Sequence, residues 1–154
     1  LLTAVLVEDS NYTIKAKRVA VELAGMGAAR LTVTGLNNAI HKESPADSNN
    51  EAIGSNHALE PFASSAMNRR NVEQMDIPTW GQYALNTLSY TTASASALSR
   101  VQDGGHSFSD QLVSVSIGNF LGIFVHDVFM LEDTTDTLVS VNEDTVQFKI
   151  GLNF

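Results

Sequence analysis

Apolar residues alternate with unusual regularity between Gln111 and Leu131. Every odd position from Val113 onward is apolar except Asn119 and Asp127, so that Val113, Val115, Ile117, Leu121, Ile123, Val125, Phe129 and Leu131 share one parity. A period of two predicts extended chain with one face covered. At about 3.3 Å per residue one strand would run roughly 70 Å, far past the usual length. Gly118 and Gly122 therefore mark a bend, and the run divides into strands at 111–117 and 121–131. The first has a wet serine face, Ser114 and Ser116. The second is apolar on both faces as far as His126 and needs a covering layer.

The same pattern predicts more strands. Leu1 to Val7 reads as a short buried strand, and Val146, Phe148, Ile150, Leu152 and Phe154 alternate against polar neighbours to the last residue, behind a strand at Thr137 to Val141. Tyr12 to Met26 is ambiguous. A helical stripe of Ala16, Val19, Ala20 and Leu23 competes with β-branched content at Thr13, Ile14, Val19 and Val21, and the balance favours a strand, a turn at Gly25-Met26-Gly27 and a second strand at Arg30 to Leu36. One helix is expected, over 79–101. Thr79 is placed to cap it, Trp80, Ala84, Leu88, Thr91, Ala95 and Leu98 recur at three and four, and Gly104 and Gly105 follow as a stop. Residues 41–78 hold only scattered apolar positions and are expected to form an extended arm or long ordered loop. Together these predict a single domain over 1–154 of mainly β (α+β) class: an antiparallel β-sandwich or strongly bent sheet with one packed helix.

Composition narrows the partners. The 154 residues are enough for a sizeable core without staples, and the absence of cysteine removes disulfides and thiolate metal sites. A formal charge of −8 with only small Lys/Arg groups, at Lys15, Lys17, Arg18 and at Arg69, Arg70, argues against nucleic acid as main partner. No membrane span is expected, because 1–7 is too short and 111–131 carries His126, Asp127, Asn119 and serines. Charged residues are scarce at 17%, which favours a virion or extracellular setting over a cytoplasmic one, and the leading Leu1 hints at processing.

The stretch VLVEDS, then an amphipathic segment, then LTVTG resembles the opening of response-regulator receivers. That resemblance implies an acidic pair, here Glu8 and Asp9, holding magnesium after the first strand. It covers about 35 residues and stops there, since Asp47 follows HKESPA rather than a strand and no later strand is followed by Lys-Pro.

Chemistry rests on four histidines. His106 with Asp110 and Ser107 has the composition of a base, its orienting carboxylate and a hydroxyl, and equally that of a polar turn. His126 and Asp127 interrupt an apolar segment, where Asp127 requires either a partner or water. His41 with Glu43, and His57 with Glu60, match no metal-ligand spacing; Glu132, Asp133 and Asp136 form an acidic turn suited at most to a hard cation. Asn11-Tyr12-Thr13 is a glycosylation sequon. The sequence thus predicts no catalytic, cofactor or metal site. It predicts a structural, self-assembling subunit of capsid, tail-tube or filament type, partnered by copies of itself. The alternative is a secreted module binding carbohydrate or a small ligand, with Trp80, Tyr83 and Tyr90 as stacking surfaces.

Overall fold

The computed structural model describes residues 2–7, 12–40, 55–130, 135–142 and 145–152. It is a helical bundle, which corrects the expected β-sandwich. A short α1 (Leu2–Leu6) leads into α2 (Tyr12–Ala39), α3 (Asn56–Glu73), α4 (Thr79–Gln102) and α5 (Phe108–Met130). Among the described residues the only sheet is a two-stranded antiparallel hairpin, β1 (Thr135–Asn142) and β2 (Thr145–Leu152). The strand expected at 137–141 and the described part of the one expected at 146–154 fall in this hairpin, with 153–154 outside the described residues, and among the described residues there is no second layer of strands for a sandwich.

Helix α3 is the centre. It lies inside the stretch expected to be a loop, with 41–54 outside the described residues. Its burial rests on small side chains, Ala58, Ala63, Ser65 and Ala66, with Leu59, Phe62 and Met67 between them. Helices α2 and α4 run antiparallel to it: Arg30 meets Glu60 while Glu22 meets Asn71, and His57 meets Ser96 while Ser65 meets Ser89. Helix α5 runs parallel to α3. Ser114 lies against Ser55, and a Cβ on Gly118 or Gly122 would meet the backbone of Leu59 or Ala63.

That last seam explains why 111–131 is a helix and not a strand pair. At a spacing of four, Asp110, Ser114, Gly118, Gly122 and His126 form a small or polar row, and this row is the buried face of α5. A Cβ on Gly118 would stand 2.4 Å from the Leu59 carbonyl oxygen, and one on Gly122 2.4 Å from that of Ala63. Glycine is required for the backbones to approach so closely, as where helices associate through small residues four apart. The bend expected at these glycines is absent; they are mid-helix contacts.

Helix α2 is continuous through Gly25, Gly27 and Gly35, so the strand–turn–strand expected over 12–36 is not formed, and LTVTG lies within it. Its buried row is Arg18, Glu22, Gly25, Ala29 and Val33, where Gly25 admits the Met67 side chain. Leu2–Leu6 is helical rather than extended. Helix α4 has the expected span, but Pro78 rather than Thr79 occupies its N-cap, and Gly104 follows its end at φ 71°. That left-handed conformation favours glycine.

Pro61 sits inside α3 and has no N–H to donate to the carbonyl of His57. Ser96 on α4 donates its Oγ–H to that carbonyl at 2.8 Å. The hydroxyl restores the bond that the proline removes and fixes α4 against α3 at the same point.

Two apolar clusters are packed among the described residues. Ala29, Val33, Leu59 and Ala63, flanked by Ile117 and Leu121, join α2, α3 and α5. Ala58, Phe62, Ala93 and Ala97, flanked by Tyr90 and Val115, join α3, α4 and α5.

Candidate functional site

Two features stand out: a buried polar cluster at one end of the α2–α3–α5 seam, and an apolar exterior. Asn71 is the hub of the cluster. Its Nδ2 donates to Glu22 Oε1 at 2.5 Å and to Thr3 Oγ1 at 3.3 Å, which turns Oδ1 towards His126 Nε2 at 3.3 Å. An acceptor at that position requires the His126 tautomer with its proton on Nε2. The Nδ1 edge then faces Asp127 Oδ1 at 3.5 Å, while Asp127 Oδ2 accepts from Arg70 Nη2 at 2.5 Å. Burial holds the imidazole below its ordinary 6.5, and the guanidiniums of Arg18 and Arg70 act in the same direction against the pull of Asp127. The neutral ring is therefore the resident form.

This cluster joins α2, α3 and α5. Asn71 spends both ends of its amide on buried neighbours, so Glu22 on α2 and His126 on α5 are each paired through α3. Hydrogen bonds that join three helices through one amide fix which helix face meets which. Asp127, whose status the sequence left open between partner and water, is three-quarters buried and has its partner in Arg70.

The remaining candidates are separated. Ser107 and Asp110 form a capping box at the start of α5: the Ser107 backbone N–H and hydroxyl both donate to Asp110 Oδ2, and the Asp110 N–H returns to Ser107 Oγ. That cap accounts for the Asp110 and Ser107 that stood beside His106 in the sequence. His57 lies against Arg100, and Glu60 pairs with Arg30, so the two residues of that motif face different helices. Among the described residues no three His, Asp or Glu side chains are grouped to hold a metal ion. Glu8, Asp9, Asn11, His41, Glu43, Asp47, Glu132 and Asp133 lie outside the described residues.

The aromatic platform of the carbohydrate reading is not assembled. Trp80 and Tyr83 are exposed, but Tyr90 turns inward, its ring 6.0 Å from that of Phe62 and its hydroxyl donating to Asn119 Oδ1 at 2.8 Å. Burial raises the Tyr90 phenol above its ordinary range.

The exterior carries much of the large apolar surface of α4 and α5. The stripe Trp80, Ala84, Leu88, Thr91, Ala95 and Leu98 keeps its helical spacing yet points away from the bundle, with Trp80 75% and Leu88 62% exposed. The face of α4 that is buried consists of Ala93 and Ala97. On α5, Phe108, Leu112, Val113, Phe120 and Phe124 likewise face outward, and the last two stack at 5.7 Å. On α4 and α5 the buried positions are mostly small or polar, and most of the large apolar side chains of these two helices lie outside.

Compared with protein-family models, curated proteins and solved structures, the chain matches none. A capsid or virion setting therefore has no support, and the helical bundle replaces the β-sandwich that accompanied it.

Proposed function

We propose that this chain is a structural, non-catalytic subunit that assembles with copies of itself through the outward faces of α4 and α5. The observation that carries the reading is the α4 stripe from Trp80 to Leu98, regular in spacing and unused inside the chain. Each large apolar side chain left in water forgoes about 1.5–3 kcal/mol of burial. A contiguous row of them marks a contact surface.

Lipid is the competing cover, since α2 and α5 are each long and apolar enough to cross a membrane. The charge distribution favours protein. Arg30 and Glu60 pair at one level of the bundle, and Arg69 and Arg70 stand at another. Glu60 and Arg69 are nine positions apart on α3, roughly 14 Å at 1.5 Å per residue, against a hydrocarbon core of about 30 Å.

Sedimentation in detergent-free buffer tests the proposal. The wild-type chain is expected to sediment as an oligomer, and the double variant Leu88→Glu, Phe120→Glu as a helical monomer. A wild-type chain that stays monomeric at about 100 μM, far above the micromolar range of ordinary association, overturns it.

A further inference from the structure

Helix α4 buries only Ala93 and Ala97 and carries no charged side chain from Thr79 to Ser99, a longer neutral run than any other described helix has. Along its outer side Gly81, Ala84, Leu88, Thr91, Ala95 and Leu98 recur at alternating intervals of three and four. That is a strict repeat of 3.5, the seam of two helices wound side by side, and narrower than the stripe a helix buries within its own domain. Gly81 is half-buried and the other five are exposed, Leu88 by 62% and Leu98 by 50%.

The row is also its own complement. Reversed about the peptide bond between Ser89 and Tyr90, it returns the same spacing, and Gly81 falls on Leu98, Ala84 on Ala95 and Leu88 on Thr91. Two of these layers set a larger side chain on a smaller one and the third sets alanine on alanine, so one interhelical separation serves the whole length. Two copies running in the same direction would put glycine on glycine near one end and leucine on leucine at the other, a gap and a crowd that no single separation fits. Antiparallel alignment also opposes the two helix dipoles. For a chain of net charge −8, the neutral row is where a like-charged copy approaches with least repulsion. We infer that α4 pairs antiparallel with α4 of a second copy across a twofold axis beside the Ser89–Tyr90 peptide. The inference rests on the self-assembly reading and sharpens it. Such a contact is isologous and closes at two copies, so α4 makes the pair and leaves the outward face of α5 to join one pair to another.

The chain has no cysteine, so introduced cysteines report the register directly. Ala84→Cys and Ala95→Cys are prepared separately in the full chain, checked for native helicity, mixed while reduced, and then oxidised in detergent-free buffer. A disulfide needs Cα atoms within about 7 Å of each other, and the antiparallel pair brings position 84 only to position 95 of the second copy. The two copies of position 84 then stand eleven residues apart along the axis, roughly 16 Å, so neither variant should bond to its own kind. The mixture is expected to yield disulfide-linked dimer, up to about half of the chain where copies exchange at random. Either variant alone should give no more than Thr34→Cys, a control on the exposed side of α2. The double variant Ala84→Cys, Ala95→Cys should stop at a dimer, and a ladder of larger cross-linked species would replace the twofold with a head-to-tail contact and overturn the inference. Cross-linking of Ala84→Cys with itself, or a mixture no better than its components while the wild type still sediments as an oligomer, overturns this pairing and leaves the self-assembly reading standing. A monomeric wild type overturns both.

Discussion

Substituting alanine for Gly118 probes the closest contact in the molecule. The new Cβ would lie 2.4 Å from the Leu59 carbonyl oxygen and 3.1 Å from its carbonyl carbon, all of it backbone that cannot rotate aside. Reaching ordinary contact near 3.4 Å means separating α3 from α5 by about 1 Å. A gap of that size forfeits a quarter to a half of each dispersion contact along the seam. Overpacking of this kind costs about 1–3 kcal/mol, while the change from glycine to alanine in a helix returns about 1 kcal/mol. The expected net is a destabilisation of up to about 2 kcal/mol, or a melting point lower by up to roughly 8 °C. Gly27 supplies the control, since a Cβ there meets nothing within 4 Å. Gly27→Ala should show the propensity gain alone and stabilise by up to about 1 kcal/mol. Urea and thermal unfolding followed by circular dichroism at 222 nm read both. The sign decides the matter: if Gly118→Ala stabilises as Gly27→Ala does, the close approach of α3 and α5 is not there.

Two further predictions concern named hydrogen bonds. His126 is held below 6.5 by burial, so between its folded value and 6.5 the unfolded chain binds more protons than the folded one. Stability should be fully present above pH 6.5 and decline as pH falls below it; urea midpoints for wild type and His126→Gln should converge in acid, and a decline of equal size in both would remove His126 as the cause. For the Pro61 bond, Ser96→Ala should destabilise by up to about 1 kcal/mol by leaving the His57 carbonyl to water, and Pro61→Ala, which restores the backbone donor, should cancel that loss. Additive effects in the double-variant cycle would show that the hydroxyl and the proline are unrelated.

The sequence made α4 legible, because Trp80 to Leu98 recurs at helical spacing and Gly104 ends it. The side of α4 that faces inward was not legible. Hydrophobicity points a reader to Trp80 and Leu88, whereas the bundle packs on Ala93 and Ala97. On α5 the apolar residues surround the helix, so their parity mimicked a strand, and the deciding signal was the row at a spacing of four that includes Ser114, Gly118 and Gly122. Helix α3 stayed hidden for the same reason: its buried positions are largely alanine, serine and asparagine, and Pro61 argues locally against a helix. The link from Glu22 through Asn71 to His126 joins residues 49 and 55 positions apart, which no local pattern reports. Only the odd placement of His126 and Asp127 in an apolar run pointed towards it.

The narrow seam between α3 and α5 also sets a ceiling on side-chain volume. Where Gly118 and Gly122 touch backbone, the interior has almost nothing to lose by shrinking and no room to grow. Substitutions in this chain should therefore be filtered by bulk inside and by polarity outside, so that an added methyl at Gly122 does more harm to the fold than the loss of a whole ring at Phe120. Variation that leaves the isolated bundle untouched would then be concentrated at the large apolar positions, where a second molecule rather than the chain itself decides what is permitted.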